Sequence, residues 1–228
     1  MQSYNGSDAD YNYELKADRK KRELPLYKMK KAQRSFDRDR ETEVQEICDS
    51  LRNAKQRQTP LGSLLSQEFR LYSVDHVDYC YTSDWYDGSR SVEFYPNNVN
   101  GLRWPGKHIC GSIDFDEDTE YDIGPCLPPE HAGLEESRWK SDCQKHEFVF
   151  QFLSNDHLKL KVPREALFTN KEAPADAPEV FKFVGIRRDR EKEREEWNLK
   201  RKRSPSPKDS WFEMNHPMGW WSQRGGFF

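Results

Sequence analysis

The sequence predicts an α+β protein: a small, mainly antiparallel β-sheet domain with flanking helices and disordered termini. Three observations carry the prediction. His146-Glu147-Phe148-Val149-Phe150-Gln151-Phe152-Leu153 and His157-Leu158-Lys159-Leu160-Lys161-Val162 each place apolar residues at every second position, and Ser154-Asn155-Asp156 between them is turn-forming. Residues 36–57 hold neither proline nor glycine and set Val44, Ile47, Cys48, Leu51 and Ala54 on one helical face. A mean hydropathy of -1.10 with 34% charged residues is too polar for a chain that is compact from end to end, so arms must flank the sheet.

In chain order, residues 1–35 mix Tyr, Asp, Lys and Arg without a period and are expected to form a disordered basic and polar arm with at most a short helix. A helical segment follows at 36–69. Its first helix docks on its own domain through the Val44 stripe, and its second starts at Thr59-Pro60, with Leu61, Leu64, Leu65 and Phe69 on one side. The β-rich domain is placed at 70–186. Its expected strands are Leu71–Val74, Val77–Tyr81, Ser91–Tyr95, Ile109–Phe115, the hairpin at 146–162 and Glu179–Ile186, with one helical turn at Pro163–Leu167. Pro125, Pro128, Pro129 and Gly133 make 124–143 an expected irregular loop. Residues 187–203 read as a charged helix with i, i+4 pairs such as Lys192/Glu196, and 204–228 as a disordered aromatic tail.

The net charge of -3 conceals opposed regions. Residues 61–186 hold 12 basic and 22 acidic side chains, whereas residues 1–60 hold 14 and 11 and residues 187–203 hold 9 and 5. An acidic body thus lies between basic flanks. No run approaches the roughly 20 apolar residues of a membrane helix, so no membrane is expected as a partner. The five cysteines include no CxxC pair and fit reduced thiols, placing the chain in the nucleus or cytoplasm.

Cys110, Cys126, Cys143 and His146, with His108 nearby, are the one zinc-ligand candidate, because Cys143-x-x-His146 has an allowed ligand spacing. Structural zinc sites show two such pairs, and only one is present, so neither a metal nor another cofactor is expected. The acidic run 114–122 looks like a calcium loop but has Thr119 where glycine is needed and Pro125 where a bidentate glutamate is needed. Glycine-rich phosphate loops, G-x-S-x-G and H-E-x-x-H are absent, so no catalytic residue is assigned.

Arg187-Arg188 followed after a spacer by Lys200-Arg201-Lys202-Arg203 has the two-cluster form of a nuclear import signal. Ser204 and Ser206, each before proline, are candidate phosphorylation sites that would offset the local positive charge. Trp211, Phe212, Trp220 and Trp221 are candidate anchors for a partner's groove. The leading expectation is a non-enzymatic protein-protein interaction module that uses its basic flanks and aromatic tail as contact segments. One alternative is a ligand-binding or catalytic β-domain with a site near loop 124–143 and Trp85, Tyr86 and Trp104. The other is weak nucleic-acid binding through the basic arms, which the acidic body disfavours.

Overall fold

The computed structural model describes residues 7–53, 59–81, 90–96, 98–99, 102–103, 108–116, 118–169 and 171–203. They form helices around a large antiparallel sheet, the predicted class. The eight sheet strands are β1 (Glu68–Tyr72), β2 (Ser91–Pro96), β3 (Ile109–Asp116), β4 (Thr119–Cys126), β5 (Ser137–Lys140), β6 (Glu147–Phe152), β7 (His157–Pro163) and β8 (Val180–Arg187). Their order across the sheet is β4-β3-β2-β1-β8-β7-β6-β5. Each strand therefore lies beside its successor, and β8 returns to β1. The outer strands β4 and β5 meet at a bridge between Ile123 and Ser141, beside an Asp142 N–H bond to the Asp122 carbonyl of 2.8 Å. The sheet is an up-and-down barrel, nearly closed.

Alternation decides what fills it. Phe148, Phe150 and Phe152 of β6 and Leu158, Leu160 and Val162 of β7 all point inward and are buried, with Phe150 paired to Leu160. Phe94 of β2 reaches across to them: its ring lies 5.9 to 6.1 Å from those of Phe69, Trp139, Phe150 and Phe152. The phenylalanine face is covered by the opposite wall of the same sheet, not by helices. Outward positions are mostly polar, but on β8 Val184 and Ile186 are apolar as well and pack with Tyr72 of β1. That two-sided pattern marks the strand a helix covers.

The covering helix is α1 (Ser7–Asn53), which begins well before the expected start at Phe36. Lys, Arg, Glu, Leu and Ala supply 24 of its 47 residues and favour helix whether or not they show an apolar period, and the helix runs on through Pro25. α2 (Val74–Cys80) stands where a strand was expected. Ser73 has extended backbone and its hydroxyl accepts the His76 N–H at 3.2 Å; this N-cap outweighs the β-propensity of Val77, Tyr79 and Tyr81. α2 lies over the barrel interior, with the His76 ring 5.4 Å from Phe183 and 6.5 Å from Phe115.

The expected second helix at 60–69 is also absent. Thr59-Pro60 pairs instead with His131-Ala132, and Ser66 takes a φ of 61°, which a helix does not accommodate, before β1 starts with Phe69 and Leu71 inward. The expected irregular loop at 124–143 likewise contains the end of β4 and all of β5. Prolines and glycines hide both, since β5 is too short to show alternation and β4 runs through Gly124-Pro125. Gly124 has a φ of +117°, and a Cβ there would lie 2.9 Å from the Ile109 carbonyl oxygen.

α3 (Arg164–Leu167) is the expected single turn, and Tyr121 of β4 donates its hydroxyl to the Ala166 carbonyl at 2.7 Å. The chain divides into two compact units, Met1–Arg188 and Asp189–Phe228. In the second, α4 (Arg190–Arg203) is a charged helix that starts three residues later than expected; Asp189 accepts the Lys192 N–H at its start.

Candidate interaction surface

α1 is fastened to the barrel by polar groups in its middle and apolar ones after them. Asp37 is fully buried. Its carboxylate accepts the Ser73 N–H at 2.9 Å, Arg90 Nη1 at 2.7 Å, Arg90 Nη2 at 3.2 Å and Gln33 Nε2 at 2.8 Å. A buried carboxylate is tolerated only when paired and hydrogen-bonded this fully. One turn earlier, Arg34 Nε bonds both Asp78 oxygens at 2.8 and 2.9 Å, which raises the guanidinium further above its usual range. One turn later, Glu41 accepts the Val74 N–H at 2.8 Å; burial pushes its carboxyl up against the lowering effect of that bond. Beyond it Val44 and Cys48 bury against Leu153 and Val184, with Ile47 and Leu51 alongside. That is the docking face read from the sequence; Ala54 lies outside the described residues.

The sequence did not single out Asp37. It sits in the run Asp37-Arg38-Asp39-Arg40, which looks like a solvated face. The available signal was its spacing: 37, 41, 44 and 48 follow one helical stripe, so the apolar face continues into two carboxylates.

Past the fastening, α1 and the outer faces of β6, β7 and β8 enclose a groove of about 920 Å³. Its floor carries Lys159, Lys161 and Lys182, its helical wall Arg38, Glu41, Gln45 and Asp49. Lys161 and Lys182 are directly opposite across β7 and β8, an arrangement that favours a counter-charge, and Glu136 supplies one to Lys161. Lys159 donates to Gln45 Oε1 at 2.8 Å. A different field covers the far side of the barrel, where Glu93, Asp114, Glu120 and Asp122 alternate outward from β2, β3 and β4. Burial and then the neighbouring Glu120 push the Asp114 carboxyl up.

Before the fastening, α1 runs clear of these contacts. Lys30 Nζ reaches the Asp78 carbonyl at 2.8 Å. From Glu23 to Met29 every residue but Leu26 is exposed, Leu24 by 56%, Tyr27 by 66% and Met29 by 53%.

His76 joins this fastening to the interior. Burial first, and then the Arg90 charge, hold it well below the usual histidine range. The unfolded chain takes up that proton near pH 6.5 and the folded chain does not, so stability is expected to fall as pH drops below about 6.5, by up to about 1.4 kcal/mol per pH unit. Urea titrations of the wild type and His76→Phe at pH 7 and pH 5.5 check this: the gap between the two proteins should shift in favour of the variant at the lower pH.

The zinc candidates are not gathered. Cys126 is buried in the core, Cys110 alternates to the outer face of β3, and Cys143 and His146 lie on the turn before β6. Among the described residues no group of three or more His, Cys, Asp or Glu side chains is placed to hold a metal ion. Cys143 does have distinctive chemistry. It is exposed, and a Ser141 hydroxyl contact at 3.3 Å, followed by the Lys145 N–H, lowers its thiol, whereas burial pushes Cys126 up to about 11 and Cys80 up to about 12. Brief treatment with iodoacetamide at neutral pH should therefore label Cys143 first, with Cys48 and Cys126 labelled only on unfolding, as read by peptide mass spectrometry.

The first basic cluster is tied down. Arg187 pairs with Asp156 at 2.7 Å and Arg188 with Glu68 at 3.0 Å, and their N–H groups bond the carbonyls of the same two acids. Lys200, Arg201, Lys202 and Arg203 form the last turn of α4. Ser204, Ser206, Trp211, Phe212, Trp220 and Trp221 lie outside the described residues, as do Trp85, Tyr86 and Trp104. Comparison of the chain with protein-family models, curated proteins and solved structures finds no match.

Proposed function

We propose that the chain is a non-enzymatic protein-protein interaction module of the nucleus or cytoplasm, in which the barrel is a rigid support and the flanking segments make the contacts. The observation that carries this reading is the barrel interior: Phe69, Phe94, Phe115, Phe148, Phe150 and Phe181 are all fully buried against one another and their neighbours, so side chains fill the space a small ligand would occupy. The chemistry available to a partner then lies outside the barrel. Trp197 and Leu199 are exposed by 58% and 54% on α4, next to the Lys200–Arg203 cluster, and the tail adds Trp211, Phe212, Trp220 and Trp221. Aromatic anchors of this kind dominate the energetics of protein recognition.

The test replaces Trp211, Phe212, Trp220 and Trp221 by alanine in the otherwise full chain and compares the proteins recovered with it from nuclear and cytoplasmic extracts. Loss of most of the specific partners, with an unchanged thermal midpoint, supports the proposal. An identical partner set argues against the tail as a contact segment.

A further inference from the structure

We infer that the flank of α1 from position 16 to Arg38 binds single-stranded nucleic acid through its phosphate backbone, a role separate from protein binding by the tail. The stretch 16–34 holds nine basic and two acidic residues, a net charge of +7 in a chain whose total is -3. Helical spacing sets positions 27, 31, 34 and 38 along one flank, and 16 and 20 share a flank on the part of the helix before Pro25, with Glu23 and Leu24 between the two groups. Lys31 and Arg38 are exposed and form no ion pair with a described residue, while Arg34 is held at the edge of the row by Asp78. Tyr27, 66% exposed, sits in the middle of the row.

The acidic barrel would repel a polyanion laid across it, and the length of α1 removes that objection. Position 16 lies fourteen residues before Lys30, where the helix meets the body, or about 21 Å along the axis. That is roughly twice the Debye length of about 8 to 10 Å at physiological salt, so the helix carries the start of the basic stretch beyond the screening distance from that contact. The row continues at Arg38 into the rim of the groove whose floor carries Lys159, Lys161 and Lys182.

One line of cations with an aromatic ring among them matches one phosphate backbone with a base to stack, the combination found in single-strand binding. A single row of cations offers nothing to the second backbone of a duplex. Between Glu23 and Met29 the exposed apolar residues form no continuous strip, because Leu24 and Met29 point about 140° apart around the helix.

The experiment measures fluorescence anisotropy of a labelled 20-nucleotide oligothymidylate with the full chain at 50 and 200 mM NaCl. Four phosphate contacts predict an affinity loss of roughly 50-fold between the two salts. Lys16→Glu/Lys20→Glu/Lys31→Glu should weaken binding at 50 mM by at least tenfold and flatten the salt dependence. Tyr27→Ala should weaken it by about five- to tenfold with the salt slope kept. Lys200→Ala/Arg201→Ala/Lys202→Ala/Arg203→Ala should bind like the wild type. Should the triple reversal lose its cooperative unfolding transition, Lys31→Gln with Tyr27→Ala, at two exposed positions, supplies the same comparison. Binding that is absent, insensitive to salt, unaffected by the α1 variants or lost only in the α4 variant overturns the inference. So does tighter binding of a duplex, of polyglutamate or of anionic vesicles. None of these outcomes bears on partner recovery by the aromatic tail, so the two readings fail separately.

Discussion

Asp37→Ala is expected to destabilise the folded chain by about 3 to 5 kcal/mol, the range for breaking a buried ion pair by removing one partner. The carboxylate is 0% exposed and Arg90 6%, so the substitution removes the carboxylate paired with a buried guanidinium and also the acceptors of the Ser73 N–H and of Gln33. For a unit of this size that corresponds to a fall in thermal midpoint on the order of 10 °C. Losing the bond to Ser73 also loosens the residue that caps α2, so the damage should reach the helix over the barrel interior. Asp37→Leu combined with Arg90→Met should cost less than the sum of the two single changes, because neither charge is then left buried alone. Equilibrium urea unfolding of the four proteins gives the cycle. Additive single effects would mean that Asp37 and Arg90 do not act as a pair.

Phe94→Ala should cost a comparable amount, about 3 to 5 kcal/mol, for a different reason. No charge is involved. Phe94 is the point at which the β2 wall of the barrel meets the β5 and β6 wall, with Trp139, Phe150 and Phe152 all in ring contact, and the residues around it are held by strand pairing and cannot collapse into the space. Phe94→Leu should recover about half of the loss. Phe36→Ala is the comparison: Phe36 is also aromatic and touches Tyr72, but it is 40% exposed on α1, and the change should cost well under half as much.

The hairpin, β2, β3 and β8 were legible because each is long enough to show alternation, and Val44, Ile47, Cys48 and Leu51 declared the docking face because the helical period persists for two turns. Barrel closure was not legible. It depends on which wall Phe148, Phe150 and Phe152 meet, and a strand pattern states only that one face is apolar. β5 was hidden by its length of four residues, and α2 by β-forming side chains under a serine cap that is visible in retrospect as Ser73-Val74-Asp75-His76. The fastening of α1 escaped for an electrostatic reason. Asp37 and Arg90 are 53 positions apart in a sequence full of carboxylates and cations, so their pairing appears only once the fold has excluded water from both.

The junction of β4 and β5 gives the molecule an uneven response to local opening. Seven of the eight neighbouring strand pairs around the barrel are joined by runs of paired residues, whereas this one is joined by a single bridge between Ile123 and Ser141. Opening it breaks few backbone bonds and exposes Tyr121 and Trp139 before the other walls part. In native-state hydrogen exchange the amides of β4 and β5 flanking the bridge should lose protection at a free energy well below that of Leu158, Leu160 and Phe183 in β7 and β8, the last part of the barrel to come apart.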